Sequence, residues 1–373
     1  MNLGIDAKWF FDGPPSGRVV IENLIRNIIM INNHNREGCQ LHLFFKERDK
    51  RKTFPYHDKS IHCHYIRGKN NFISNVLFLP VYCIGLSLDV VIFQNFSPLF
   101  SSFKRISYIH DVIYMSNPEF FTITERLYFF PIKFLARRAH RICTISESEK
   151  RRLINFKFGT DEKIDVIHHG ITDEFKPRKK HNDKLLKAVI LKYNLPAKFL
   201  LYVGRLNIRK NLLNLMKSIP LLEDSEIRLF LVGQYDWKSF DVREFACRLG
   251  IKNRIILTGF VEDEHLPVLY ALSTVFCYVS YEEGFGLPAL EAMASGVPVV
   301  VSNSSSIPEV CGDAGNYADP FDPVSIATTI NSLLNNEELY TKKRALGLKR
   351  ASLFKWKHSA EKIIRSALKA CNA

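Results

Sequence analysis

Two glutamates, Glu283 and Glu291, bracket a loop with two glycines, Gly284 and Gly286, in the stretch CYVSYEEGFGLPALEAMASGVPVVV from Cys277 to Val301. Paired carboxylates can act as the acid and base of glycoside cleavage, which requires them ~5–9.5 Å apart. Eight residues of helix would already span ~12 Å, and part of this stretch is more open loop. The spacing instead suits carboxylates that hold opposite ends of one long ligand, such as a sugar and a ribose. Fixed positive charge stands upstream in Gly204-Arg-Leu-Asn-Ile-Arg-Lys-Asn211, after the apolar run Phe199 to Val203. Arg205 and Lys210 there could stabilise charge on a departing phosphate, Arg as a planar fork and Lys as a point charge. Arg209 is a neighbour that could compete for the same role.

The flanking residues say which elements hold these groups. Val275 to Val279 is of strand type, and Pro288 suits the first turn of a helix, where its missing N–H costs nothing. Leu287, Leu290, Met293 and Ala294 give that helix an apolar stripe, Gly296 can stop it, and Val297 to Val301 reads as the next buried strand. A strand, glycine loop, helix and strand in this order aim backbone N–H groups at whatever sits above the sheet, which makes an anion site.

The whole string, Glu283-Gly-Phe-Gly-Leu-Pro-Ala-Leu-Glu291 and then Ala-Met-Ala-Ser-Gly-Val-Pro-Val-Val, resembles the E-x7-E signature of retaining glycosyltransferases of family 4. The pattern from Gly204 to Asn211 resembles the same family's G-R-x(4)-K-N, with Arg205 and Lys210 at the matching positions. Asn303 to Glu309 resembles the family loop beside the nucleotide. His110-Asp111, in the context YIHDVIYMSNPEFF, is similar to the acceptor side of bacterial mannosyltransferase-like members. Gly17, in Asp12-Gly-Pro-Pro-Ser-Gly17, best matches the family's glycine loop near the donor phosphates.

The resemblance implies an α/β chain of the GT-B type, two Rossmann-like domains with parallel sheets facing across a cleft. It implies transfer of a hexose, with mannose favoured, from a nucleotide diphosphate sugar to an acceptor hydroxyl with retention, in bacterial surface polysaccharide synthesis. Arg205 and Lys210 would hold the diphosphate, Glu283 the sugar hydroxyls and Glu291 the ribose. Phe285, Gly286 and Leu287 would offer backbone N–H groups, and His110 would orient or accept from the acceptor hydroxyl. No cofactor or metal is expected. The partners would be the nucleotide sugar, a saccharide or lipid-linked saccharide acceptor and an anionic membrane surface, with no nucleic acid. Two other readings are a nucleotide-sugar epimerase of the same fold and a non-catalytic basic protein that binds nucleic acid. The family 4 form of the E-x7-E motif argues against the first, and the intact Arg205, Lys210, Glu283 and Glu291 against the second.

The bulk properties agree with a globular chain. At 373 residues with 46% hydrophobic content it has room for two ordinary domains. Its net charge of +14 favours anionic partners, although no Arg-rich tail, zinc finger or RNP pattern accompanies it. The eight cysteines are scattered without metal spacing and most sit in apolar runs, which reads as reduced, buried thiols in a cytoplasmic protein. The lipid-linked acceptor that the resemblance implies, with the positive charge, would suit a peripheral place at the inner face of the membrane. His62 and His64 share a strand face without further ligands nearby, so they are not read as a metal site. No G-x-G-x-x-G marks a nicotinamide-binding domain.

Residues 1–180 read as the acceptor domain, 185–350 as the nucleotide-sugar domain, and 351–373 as a helix returning to the first. The polar stretch Pro177 to Lys187 reads as the linker. Phe72 to Phe93 is interrupted by Asn75, Pro80, Ser87 and Asp89, so a helix followed by a strand is expected there rather than a membrane span. Thr124 to His140 reads as an amphipathic helix with basic residues; a membrane-surface use is one reading, and packing of Leu127, Phe130, Phe134 and Leu135 into the core of the first domain is the one favoured.

Overall fold

Short runs rich in Val, Ile, Leu and Phe become strands covered on both faces, as parallel sheets require. In the computed structural model, which describes residues 1–34, 39–235 and 240–372, they form two sheets. The first contains β1 (Asn2–Asp6), β2 (Gln40–Lys46), β3 (Ile61–Ile66), β4 (Val90–Gln94), β5 (Lys104–Tyr108), β6 (Arg141–Thr144) and β7 (Ile164–Val166). The second contains β8 (Phe199–Val203), β9 (Arg228–Val232), β10 (Ile255–Gly259), β11 (Val275–Tyr278), β12 (Val299–Ser302) and β13 (Gly315–Ala318). Every residue of β4, β11 and β12 is buried.

The order of the first sheet is β3-β2-β1-β4-β5-β6-β7 and that of the second β10-β9-β8-β11-β12-β13. All pairings are parallel. Strand order reverses between β1 and β4 in one sheet and between β8 and β11 in the other. In open sheets of this kind the carboxyl ends of the strands at the reversal are where ligands sit. Gln94 ends β4 in the first sheet, and Tyr278 ends β11 in the second, five residues of chain before Glu283.

The chain divides into two units, one formed by Met1–Gly170 with the segment from Lys355 onward, the other by Ile171–Phe354. The stretch from Pro177, expected as a linker, folds with the second unit: Asp183–Tyr193 is a helix, capped by the Asn182 side chain and closed by Asn194 in the left-handed region. Its apolar positions, Leu186 and Val189, are buried, which composition alone concealed behind the surrounding lysines.

The terminal helix Trp356–Cys371 lies on the helix Pro15–His34 and on β4, β5 and β6 within the first unit. Its inner face is mostly small: Ser359, Ala360, Ser366, Ala367 and Ala370 are buried beside Trp356 and Ile363. Small residues permit close approach, and the larger Leu368 is 49% exposed. Ser366 and Lys369 donate to the Asp165 carboxylate at 2.7 and 3.1 Å. Gly170 is required where the chain passes this helix, since a Cβ there would stand 2.1 Å from the Trp356 nitrogen.

One further expectation holds and one changes. The segment Phe72 to Phe93 is a broken helical run followed by β4, and no helix among the described residues is long and apolar enough to cross a membrane. Thr124 to His140 is two helices, Ile123–Phe129 and Pro131–Arg138, broken where Pro131 cannot donate to the preceding turn. Ile132, Leu135 and Ala136 face the core, but Leu127, Phe130 and Phe134 face outward. Of the eight free cysteines, Cys83, Cys143, Cys277 and Cys311 are buried, whereas Cys63 and Cys247 are exposed.

Candidate functional site

Glu283 stands in the loop between β11 and the helix Leu287–Ala294, at the reversal of the second sheet. Lys210 reaches it from the loop after β8, donating to Glu283 Oε1 at 2.6 Å and to the Tyr278 hydroxyl at 2.6 Å. Arg209 donates to Glu283 Oε2 at 3.3 Å and also to the Glu282 carbonyl. Burial alone would raise the Glu283 carboxyl, but Lys210 and then Arg209 override it and hold it at about 2. One carboxylate therefore sits between two cations, and the cluster is net positive.

Backbone geometry delivers these side chains. Asn207 accepts from the Arg209 N–H at 2.9 Å and starts a short turn through Ile208–Lys210. Asn211 then takes a left-handed conformation at φ 57° and is buried. Its amide donates to the carbonyls of Val279 and Pro320 at 2.9 and 2.6 Å, tying the loop after β8 to the end of β11. The Glu283 N–H donates to Ser305 Oγ at 3.0 Å, and Ser306 donates to the carbonyls of Glu283 and Phe285 at 3.0 and 2.9 Å. The serine run after β12 thus fixes the glycine loop from below.

Gly286 caps the helix at φ 108°, a conformation that favours glycine, with Leu287 and Pro288 in the first turn. N–H groups at a helix start have no intrahelical acceptor, so the Gly286 and Leu287 positions suit an anion. Phe285 is buried against Phe354, with ring centroids 5.9 Å apart. On the same helix Glu291 accepts from the Tyr270 hydroxyl at 2.7 Å. Burial pushes its carboxyl up to about 7, with the Tyr270 bond acting in the opposite direction. The two glutamates are thus held in different states, Glu283 ionised and Glu291 near its midpoint at neutral pH.

Arg205, expected beside Lys210, lies on the same loop with its side chain exposed, and its carbonyl accepts from the Tyr202 hydroxyl at 2.9 Å. Arg209 rather than Arg205 meets Glu283. Tyr278 and Tyr270 were not anticipated as parts of the site. Asn211 carried a signal as the residue that follows Lys210 in the quoted pattern, and Ser305 and Ser306 lie in the stretch Asn303 to Glu309 that resembles the family loop beside the nucleotide.

In the first unit His110 follows β5, and its Nε2 lies 2.7 Å from Gln94 Oε1 at the end of β4. The amide oxygen can only accept, so Nε2 carries the proton and Nδ1 the lone pair. Burial lowers the imidazole to about 4, leaving it neutral near pH 7. The His110 ring lies 5.1 Å from that of Trp9. Gly17 sits on the same tryptophan, where a Cβ would come 2.8 Å from the ring. Gly17 is thereby inside the first turn of the helix Pro15–His34, not in an open loop before it. Beneath, Lys8 donates to Asp6 and Asn75 at 2.7 and 2.5 Å, a buried ion pair at the end of β1. Asp111 accepts from the Ile113 N–H at 3.3 Å. Among the described residues no group of three His, Cys, Asp or Glu side chains is arranged to hold a metal.

Residues 184–349 match the family model described as glycosyl transferases group 1, and residues 29–175 that of Glycosyltransferase Family 4. The chain is 30% identical over 274 residues to O-antigen chain mannosyltransferase B of Escherichia coli, covering 70% of each chain. It is 29% identical over 264 residues to the serotype-specific mannosyltransferase WbdA of Escherichia coli, covering 69% of this chain and 32% of that longer protein. The fold matches that of HepE of Anabaena, solved in complex with UDP-glucose, with a TM-score of 0.72 and 16% identity over 99% of both chains.

Proposed function

This chain belongs to the family 4, group 1 glycosyltransferases, and from that premise we propose that it transfers mannose from a nucleoside diphosphate sugar to an acceptor hydroxyl with retention. The observation that carries the reading is the cluster of Lys210, Arg209 and Glu283 beside the start of the helix Leu287–Ala294. As the bond from the sugar to the diphosphate breaks, negative charge grows on the leaving oxygen. Lys210 and Arg209, with Arg205 on the same loop, offset it, and the N–H groups of Phe285, Gly286 and Leu287 add their dipoles. Glu283, kept ionised, accepts hydrogen bonds from the sugar hydroxyls, and Glu291 accepts them from the ribose. Because cations of the chain supply the positive charge, no metal is required.

In the first unit, neutral His110 uses its Nδ1 lone pair to orient the acceptor hydroxyl, with Gly17 and Trp9 shaping the ground beside it. The names of the relatives support mannose and a surface-polysaccharide acceptor. A lipid-linked acceptor and the net charge of +14 support peripheral association with the inner, anionic face of a bacterial membrane.

The test is transfer by the purified protein from a panel of nucleoside diphosphate hexoses to oligosaccharide acceptors, after exhaustive treatment with EDTA. The expected result is an α-linked mannosyl product from a nucleoside diphosphate α-mannose, at an undiminished rate. A product of inverted configuration would contradict retention, and turnover restored only by Mg²⁺ or Mn²⁺ would contradict the metal-free account. A nucleotide sugar returned epimerised without transfer would assign the epimerase reading instead.

A further inference from the structure

We infer that the outward face of the helices Ile123–Phe129 and Pro131–Arg138 is a docking surface for an anionic lipid bilayer. Ile123, Leu127, Phe130 and Phe134 recur at steps of four, three and four residues, which lines them along one side of a helical run. They are 73%, 67%, 77% and 51% exposed. Such a stripe normally faces a core, but here the opposite face does so, through Ile132, Leu135 and Ala136. A contiguous exposed apolar face of this kind marks an interaction site.

Charge selects the occupant. Arg126, Arg137 and Arg138 are exposed beside the stripe, and the Arg138 guanidinium lies 4.7 Å from the centre of the Phe134 ring. The acid within these helices, Glu125, is turned inward to the Thr122 N–H and hydroxyl at 2.8 and 2.9 Å. Bulky apolar side chains flanked by arginines are the composition of a helix that lies in the interface of a bilayer containing anionic lipid. A second exposed apolar run, with Leu77, Val81 and Ile84, follows the helical turn that carries Phe72. The Phe72 ring and the Tyr128 ring both pack on Phe96, at 5.5 and 5.1 Å. Neither run is long enough to cross a membrane. The protein would therefore lie on the surface, held by side-chain insertion and by attraction to lipid headgroups.

This inference rests on the proposed membrane association and localises it. The experiment is flotation of the full chain with vesicles of phosphatidylcholine containing roughly a third phosphatidylglycerol, and with pure phosphatidylcholine. The wild type should float with the anionic vesicles, weakly with the neutral ones, and lose binding in high salt. The variant Leu127→Ser/Phe130→Ser/Phe134→Ser should bind at least about tenfold more weakly with an unchanged Tm, because these side chains touch solvent. Arg126→Gln/Arg137→Gln should weaken binding to anionic vesicles only. Phe130→Trp, which keeps the stripe apolar, should shift its emission to the blue with anionic vesicles and be quenched by brominated lipid. If the triple variant floats like the wild type, or the tryptophan stays in water, the surface is wrong although the association stands. If the wild type binds no vesicle, both fail. A dimer abolished by the same serines, without vesicle binding, would assign the face to a second copy and overturn the proposal.

Discussion

The Lys210 ammonium stands 2.6 Å from the Glu283 carboxylate, each side chain nearly enclosed. In the ligand-free protein the cation that would hold the donor diphosphate is thus neutralised by the carboxylate that would hold the sugar. Binding a diphosphate gives Lys210 a second anion to serve, and Arg209 remains to keep Glu283 ionised.

Lys210→Met tests this pairing. It leaves a buried carboxylate with only Arg209, and breaking such a pair costs about 3–5 kcal/mol. A clear fall in Tm is expected, and the double variant Lys210→Met/Glu283→Gln should recover part of it. The pH sign follows from the carboxyl held at about 2: its stabilisation is present above about 4.5 and is lost as pH falls toward that value. Lys210→Met should therefore unfold at a higher pH than the wild type during acid titration. Equal acid midpoints would show that the pair contributes nothing.

Glu291 has the opposite sign. Burial raises its carboxyl to about 7, so its stabilising contribution is complete below about 4.5 and is lost as pH rises through 7. Glu291→Gln keeps an acceptor for Tyr270 but cannot ionise. Wild type and variant should melt together near about pH 5, and the variant should melt higher near about pH 8. Thermal unfolding across that range checks it, and a constant difference would place Glu291 in a more polar setting.

His110→Ala should lower kcat by about 10²-fold, a usual size for a lost orienting or basic group, with donor affinity nearly unchanged. Since the imidazole is held at about 4, the wild-type rate should not fall through His110 protonation until well below neutrality. Transfer at the wild-type rate by the variant would make His110 structural.

What the sequence revealed and what it hid have physical causes. Buried strands announce themselves as apolar runs: Phe199–Val203 is bounded in the fold as in the sequence. β13 was not anticipated because Gly-Asn-Tyr-Ala has little strand character, and only pairing with β12 makes it one. The stripe of Leu127, Phe130 and Phe134 had the right period for a helix, but a period shows only that residues share a face, not which face meets the core. At the site, the positions of Glu283 and Lys210 in loops after strands and of Glu291 on the following helix were legible from the strand, glycine-loop and helix pattern, while their roles came from the family resemblance. Arg209, read as a neighbour that could compete with Arg205, is the guanidinium that meets Glu283, since the turn set by Asn207 and Asn211 points it inward while Arg205 is exposed. Tyr270 and Tyr278 read as core residues and are core residues; their hydroxyls alone reach the site.

The central claim is that Glu283 and Glu291 hold different parts of one donor. Isothermal titration of Glu283→Gln and Glu291→Gln with a free nucleoside diphosphate, beside their transfer rates, tests it most directly. At about pH 8, where Glu291 is largely ionised, Glu291→Gln should lose roughly tenfold or more in affinity, as expected for hydrogen bonds to a charged acceptor worth ~1.5–3 kcal/mol. Glu283→Gln should bind the nucleotide almost as the wild type does and lose turnover, because its contacts are to the sugar as the bond breaks. If Glu283→Gln loses nucleotide affinity while Glu291→Gln keeps it, the donor lies the other way round and the assignment of the site is contradicted.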